Sequence, residues 1–212
     1  MKPSIKIAVI GATGKAGKFL IEELAKTNYQ VKALFRNPEN TNLPEIEVIT
    51  GNVSNPDDVL SILKDCDAVI SVLGMGVSPN PIDIFTTSTG NILSAMNKLN
   101  INRYIVITGL NVDTPTDNKS PNSKAATNWM YEHFPATTKN KQKEYEMLTE
   151  SITDWTMVRL PMIDLTEESP EIAISLTDCP GSKISATSLA QFLIKLLTDE
   201  AYIRQAPFIA NK

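Results

Sequence analysis

Cysteine and histidine are scarce: the 212 residues hold two cysteines, Cys66 and Cys179, and one histidine, His133. Two thiols are too few for a disulfide framework, and one imidazole without ligand-spaced cysteines argues against a zinc site, so no metal is expected. A strong excess of one sign of charge is missing as well. The net charge is −4 and neither acids nor bases form a long block, so the chain carries no nucleic-acid footprint. No window approaches the roughly 20 apolar residues of a membrane-spanning helix. Met1, Lys2, Pro3 and Ser4 lead straight into an apolar run, without the apolar segment and cleavage site of a secretory signal. These absences make the cytoplasm the expected setting and a small molecule the expected partner.

The length suits a single domain spanning 1–212, with room for a substantial core. Within it, the run Ile7-Ala8-Val9-Ile10-Gly11-Ala12-Thr13-Gly14-Lys15-Ala16-Gly17 joins a strand to a helix through glycines spaced G-x-x-G-x-x-G. That spacing has a chemical purpose. Gly11 can take the tight turn leaving the strand, Gly14 lets backbone approach a pyrophosphate, and Gly17 lets helix and strand pack closely. Thr13, Lys15 and Ala16 complete the cradle, and the helix N-terminus offers unpaired N–H groups and a positive dipole end to phosphates. Glycines occur in ordinary turns too, but here Ile5, Ile7, Val9 and Ile10 precede them with strand composition. Ala16, Phe19, Leu20 and Leu24 follow at helical spacing. The stretch reads as a dinucleotide-binding unit.

Apolar runs at 31–35, 46–49, 68–73, 104–107 and 155–158 are near-continuous, as expected of strands covered on both faces. Helical patterns lie between them. Asn55 caps one, with Pro56 at its first position and Val59, Leu60 and Leu63 on its apolar face. Ile92, Ala95, Met96 and Leu99 mark a second, and residues 185–197 form an amphipathic scaffold helix with Leu189, Phe192, Leu193, Leu196 and Leu197 inward. The alternation implies parallel strands joined by right-handed crossovers, hence a doubly wound α/β sheet of Rossmann type with a small C-terminal extension. The polar stretch 113–143 breaks the alternation and is expected to be a lid or a partly helical excursion within the domain. It contains the aromatic cluster Trp129, Tyr131, His133 and Phe134.

Ligands in such sheets sit beyond the carboxyl ends of the strands. An acid at the end of the second strand, about 20 residues past the glycine loop, marks selection of the NAD ribose. This chain has Arg36 there, in Leu34-Phe35-Arg36-Asn37, with Lys15 as a second cation in the cradle. Arg36 suits a charge-assisted contact to a 2′-phosphate, so NADP(H) is expected over NAD(H). The plainer alternative is an ordinary exposed arginine.

These residues resemble the atypical short-chain dehydrogenase/reductase group, in particular NAD(P)H-binding proteins of the NmrA-like and the flavin reductase/biliverdin reductase B-like kinds. The glycine loop, Gly51-Asn52-Val53, Leu73-Gly74, Ile107-Thr108-Gly109, the stretch Ser151 through Trp155 to Arg159-Leu160-Pro161, and Ser188-Leu189-Ala190 carry the likeness along nearly the whole chain. The resemblance implies that Asn52, where the family usually has aspartate, accepts from the adenine amino group beside Val53. It also implies that Leu73 and Gly74 pass beside the adenine ribose and that Pro161 and Met162 lie near the nicotinamide amide. Thr108 stands where the wider superfamily has its catalytic serine, able to bond a substrate carbonyl or the nicotinamide ribose.

One departure bears on mechanism. The superfamily's Tyr-x-x-x-Lys pair lets a lysine lower a tyrosine pKa for proton donation, and no tyrosine of this chain has lysine four residues on. The reversed order, Lys141 before Tyr145, puts both on one helix face. Lys141 and Lys143 flank the family's usual lysine position, and one of them is expected at the nicotinamide ribose unless the helix face is merely solvated. His133 is the one side chain that titrates near neutrality unperturbed, and it is either a catalyst or a loop residue.

The expected activity is therefore NADPH-dependent reduction of a flavin, quinone or similar conjugated acceptor, whose proton can come from water. A different class, a non-catalytic NADP(H)-sensing regulator with a protein partner, suits the thin catalytic complement. A nucleotide-sugar epimerase or dehydratase ranks third because such enzymes depend on the tyrosine-lysine pair. Either a monomer or a dimer fits.

Overall fold

The computed structural model describes residues 5–37, 46–75 and 81–212. Its first half alternates strand and helix except from β2 to β3, where 38–45 lie outside the described residues: β1 (Lys6–Ile10), α1 (Lys15–Leu24), β2 (Gln30–Phe35), β3 (Glu47–Thr50), α2 (Pro56–Leu63), β4 (Ala68–Ser71), α3 (Ile84–Leu99) and β5 (Arg103–Gly109). Then come α4 (Pro121–His133), α5 (Pro135–Glu150), β6 (Asp154–Leu160), β7 (Met162–Asp164), β8 (Ile172–Ser175), β9 (Lys183–Ser185), α6 (Ala186–Lys195) and β10 (Phe208–Asn211). The main sheet runs β3-β2-β1-β4-β5-β6-β10-β8; all its pairings are parallel except that between β10 and β8. This is the Rossmann-type α/β architecture the alternation implies, with the order reversing at β1 and β4.

Side-chain alternation divides the core into two layers. Ile7, Val9, Ile105, Ile107 and Val158 face α1 and α6, meeting Leu20, Leu24, Leu189 and Leu193. Ala8, Ile10, Val69, Tyr104, Val106 and Met157 face the other side, meeting Val59 and Ile62 of α2, Ile92 and Met96 of α3, and Leu148 of α5. Because β1, β4, β5 and β6 are covered on both faces, their sequences stay apolar instead of alternating.

Local chemistry sets the helix ends. The Asn55 side chain accepts from Asp57 N–H with Pro56 at the first position, as its sequence implies, and Ser120 does the same for α4 by accepting from Ser123 N–H. Ser185, expected inside the C-terminal helix, is instead its cap and accepts from Ser188 N–H. Asn100 ends α3 in the left-handed conformation, with φ of 57°.

One expectation is corrected. The fourth strand stops at Ser71 rather than running to 73; Val72 N–H still bonds Ile10 carbonyl, but the chain then leaves the sheet. Residues 113–143, expected to be a lid or a partly helical excursion, are largely helical. Their second part belongs to α4 and α5, and α5 packs on α3 to close one face of the sheet. The polar composition hid this because α4 buries only Ser123 and Thr127, and α5 only Thr138, Glu144 and Leu148. The extra elements after β6 are a two-stranded β7–β9 pair and the insertion of β10 between β6 and β8.

Candidate functional site

A cleft of about 500 Å³ opens beyond the carboxyl ends of the central strands. Gly11, Thr13, Gly14, Lys15 and Ala16 of the first β–α turn line one side, and Leu34 and Arg36 line it from the end of β2. Gly51 and Val53 follow β3, Val72, Leu73 and Gly74 follow β4, and Ile107 and Ile163 form the far wall.

The cradle is built as its glycines require. Gly11 has φ of +84°, and a Cβ there would lie 2.8 Å from Val72 carbonyl carbon, so both the turn and the close approach to β4 demand glycine. Gly17 is buried under the loop, not in the cleft; a Cβ on it would sit 2.6 Å from Ala12 carbonyl oxygen. Gly14 is the α1 cap and supplies no side-chain hydrogen bond, and the first turn carries no acid. The orphan N–H groups of that turn are therefore left to a ligand anion. Gly74 faces open space, with nothing within 4 Å of a built Cβ. A dinucleotide pyrophosphate fits these residues.

Asn52 holds the turn between β3 and α2. Its amide N–H donates to Asp58 Oδ2 at 2.8 Å, and its side-chain oxygen accepts from Ser54 N–H at 3.0 Å. Val53 is buried at the cleft, its carbonyl accepting from Asn91 Nδ2 at 2.9 Å. Pro161 is half-buried and Met162 largely exposed, while the next residue, Ile163, lines the cleft.

The residues singled out for chemistry are distributed over three places. Thr108 is buried at the end of β5 on the α5 face, and its hydroxyl has no partner among the described residues. Tyr145 packs edge-on against Trp155 of β6, ring centroids 6.0 Å apart. Burial raises its pKa, with Arg159 lowering and Asp117 raising it further. Lys141 lies one turn earlier but turns toward α3, its ammonium 3.8 Å from the Phe85 ring centroid. Burial lowers its pKa and Glu144 opposes that. Lys143 is exposed. His133 is the exposed last residue of α4, stacked on Trp129 at 4.5 Å with Nδ1 2.9 Å from Trp129 carbonyl oxygen. Neither it nor Lys143 lines the cleft. The aromatic cluster lies on the surface, with Trp129 51% and Phe134 46% exposed.

Sequence reasoning missed a buried ionic group beside this site. Arg159, in β6, is fully buried; Nη1 bonds both carboxylate oxygens of Asp117, Nε donates to Ala206 carbonyl at 2.8 Å, and the guanidinium lies 3.5 Å from the Phe208 ring centroid. Lys119 joins Asp117 at 3.8 Å and Asp113 at 2.6 Å, tying the segment after β5 to the sheet. Arginine suits such a place because its fork satisfies several acceptors at once. Glu144 is buried against α3, accepting from Thr89 hydroxyl at 2.7 Å. Burial raises its carboxyl pKa, and Lys141 and the Thr89 hydrogen bond lower it. Among the described residues no group of three or more His, Cys, Asp and Glu is placed to hold a metal, and no helix is long and apolar enough to cross a membrane.

A parallel sheet whose order reverses beside a glycine cradle is the arrangement of a dinucleotide-binding Rossmann fold. The chain belongs to the NAD(P)H-binding family, whose model matches residues 11–200. Its fold is shared with a short-chain dehydrogenase/reductase from Veillonella parvula in complex with NADP, at a TM-score of 0.79 and 17% identity over 98% of this chain and 94% of the other. It is shared also with the oxidoreductase ylbE from Lactococcus lactis, at 0.79 and 20% over 98% and 91%. In sequence it is 36% identical over 80 residues to an isoflavone reductase homolog of Nicotiana tabacum, covering 32% of this chain. The match spans only 26% of that relative's length.

Proposed function

We propose that this chain is an NADPH-dependent reductase of a flavin, quinone or similar conjugated acceptor. The observation that carries the reading is the end of β2: Arg36 lines the cleft where an acid would select NAD, and Lys15 lines it from the cradle. Both cations suit a 2′-phosphate, and the free N–H groups at the start of α1 suit the pyrophosphate. When bound, the reduced nicotinamide supplies a hydride. The chain's own contribution is to orient the reactants and to line the far end of the cleft with apolar Ile107 and Ile163.

Thr108, Lys141 and Tyr145 are the groups proposed to act on the acceptor or the nicotinamide ribose, with Pro161 and Met162 beside its amide, and Asn52, Leu73 and Gly74 at the adenosine end. A conjugated acceptor spreads the incoming charge over its π-system and takes its proton from solvent. The separate directions of Lys141 and Tyr145, toward Phe85 and toward Trp155, suit a reaction that needs no tyrosine acid. Two free thiols suit a cytoplasmic protein, as monomer or dimer.

A second reading rests on the exposed Trp129, His133 and Phe134 stack: an NmrA-like sensor that binds NADP(H) and presents this surface to a protein partner. A nucleotide-sugar epimerase remains the weakest reading, for want of a Tyr-x-x-x-Lys pair. The deciding experiment follows oxidation of NADPH with FMN, riboflavin and simple quinones, beside a titration of NADPH binding. Acceptor-dependent turnover supports the reductase; tight binding without turnover supports the sensor.

A further inference from the structure

Two charged side chains one turn apart on α5 both face α3, and each lacks a polar partner that the other could supply. Glu144 is 2% exposed. Its Oε1 accepts from the Thr89 hydroxyl at 2.7 Å, while Oε2 is buried without a partner among the described residues. Lys141 is half-buried, and its ammonium lies 3.8 Å from the Phe85 ring centroid. Among the described residues its one charged neighbour is Glu144, and the two do not meet in an ion pair.

The seam between the helices is pinned on either side of this pair. Asp83, the α3 cap, supplies no side-chain hydrogen bond, and Asn140 of α5 does so in its place. Asn140 Oδ1 accepts from the N–H groups of Phe85 at 2.9 Å and Thr86 at 3.3 Å, and its Nδ2 donates to Thr86 Oγ1 at 2.7 Å. Further along both helices, a Cβ on Gly90 would lie 3.4 Å from Met147 Cε. Phe85 and Thr89 are one turn apart on α3, as Lys141 and Glu144 are on α5. Side chains at such spacing are neighbours, so the Lys141 ammonium has two places within reach: the Phe85 ring and the open oxygen of Glu144.

A buried carboxyl with one oxygen unpaired is tolerated as the neutral acid and is costly as the anion. Burial accordingly raises the Glu144 pKa, so the carboxyl keeps its proton above the ordinary carboxylate range. Once it ionises, its attraction for an ammonium exceeds that of an aromatic face in the same low-dielectric setting. We propose that Lys141 is a two-position cation, resting on the Phe85 ring while Glu144 is protonated and moving to Glu144 Oε2 when that carboxyl ionises.

The proton leaves Glu144 for solvent and Lys141 keeps its own, so the seam passes from a single positive charge to a neutral ion pair. The other groups facing Glu144 do not compete for it. Thr89 of α3 has one hydroxyl proton, already given to Oε1, and the Tyr104 phenol of β5, 3.4 Å from the Thr89 hydroxyl, is raised by burial and stays neutral. The result is a pH-set choice of grip: α5 holds the first turn of α3 at Phe85 in acid, and the next turn, at Thr89 through Glu144, once the carboxyl is charged. This holds for a reductase and for a sensor alike.

The test has two arms, both on the full chain. In the first, the Hε and Cε signals of Lys141 are followed by NMR from mildly acidic to mildly alkaline pH, assigned by their loss in Lys141→Met. The ring current of Phe85 places the Hε protons upfield of ordinary lysines in acid, and the proposal expects them to move downfield as Glu144 ionises. In Glu144→Gln, which cannot ionise, they are expected to stay upfield throughout. Wild-type signals that keep one position over the whole range overturn the proposal, as does the same movement in Glu144→Gln.

The second arm is a pair of double-mutant cycles read by urea unfolding at the two ends of that pH range. Coupling between Lys141→Met and Glu144→Gln is expected at the alkaline end alone, at about threefold or more in the unfolding equilibrium constant. Coupling between Lys141→Met and Phe85→Leu is expected at the acidic end and is expected to fall by about the same factor in alkali. Couplings that do not change with pH overturn the proposal. If Phe85→Leu, which removes a buried ring, does not fold, wild type and the near-isosteric Glu144→Gln still decide the matter by NMR.

Discussion

Arg159 Nη1 grips both carboxylate oxygens of Asp117, at 2.7 and 2.8 Å, so that a strand of the sheet holds the segment leading from β5 to α4. Neither partner has ready access to water, and the guanidinium also serves the carbonyls of Val112, Leu176 and Ala206. Removing one partner of such a pair strands the other charge in a low-dielectric setting. Asp117→Ala is expected to cost about 3–5 kcal/mol, measured by urea unfolding. The double replacement Arg159→Met/Asp117→Leu is expected to cost less than the two single changes summed. Additive losses would show that the two side chains act independently.

Glu144 gives stability a pH dependence. Burial holds its carboxyl above the ordinary range, while Lys141 from the same helix and Thr89 from α3 favour the charged form; Tyr104, from β5, lies 3.4 Å from the Thr89 hydroxyl. A carboxyl with a raised folded pKa keeps its proton where the unfolded chain has lost it. Its contribution is therefore fully present below the ordinary carboxylate range and declines as pH rises through the raised value. Glu144→Gln is expected to remove that decline, read as the unfolding midpoint across the acidic to neutral range. A wild-type decline that persists unchanged in the variant would assign it to another group.

The glycines are expected to differ by place. Gly17→Ala drives a methyl into Ala12 carbonyl oxygen, 2.6 Å away, so it is expected to displace the cradle, destabilise by about 1–3 kcal/mol and weaken NADPH binding. Gly74→Ala meets nothing within 4 Å and is expected to leave the melting temperature unchanged. Thermal melts with and without NADPH check both; equal effects of the two substitutions would contradict the packing described for the cradle.

The contrast between those glycines shows what the sequence could disclose. Gly11, Gly14 and Gly17 were legible because a backbone turn, a phosphate approach and a helix contact each need glycine at a set distance along one short run. The strands β1, β4, β5 and β6 were legible because covering both faces keeps them largely apolar, though β4 ends two residues early, while the edge strand β3 is mostly exposed and showed only as a short apolar run. The strands β7 to β10 were not: each has three or four residues, and their pairing is decided by tertiary packing. Spacing alone placed Lys141 and Tyr145 on one helix, but only packing shows one turned to Phe85 and the other to Trp155. Arg159 left no local trace, since its partners, Asp117 and the Ala206 carbonyl, come from distant parts of the chain.

Arg36 tests the proposed cofactor preference directly. It lines the cleft at the end of β2, where the ribose 2′ position of a bound dinucleotide belongs in this fold. A hydrogen bond from guanidinium to a phosphate contributes about 1.5–3 kcal/mol, so Arg36→Ala is expected to weaken NADPH roughly tenfold to a hundredfold. NADH carries a hydroxyl there and has no phosphate to lose, so its affinity is expected to change little. Arg36→Asp goes further, repelling the 2′-phosphate and offering an acceptor to the ribose hydroxyl, and is expected to reverse the order of the two cofactors. Calorimetric titration of both cofactors against the three proteins separates the cases. If NADPH binds Arg36→Ala as tightly as wild type, the 2′-phosphate is held elsewhere, and Lys15, across the cleft in the cradle, becomes the cation to replace next.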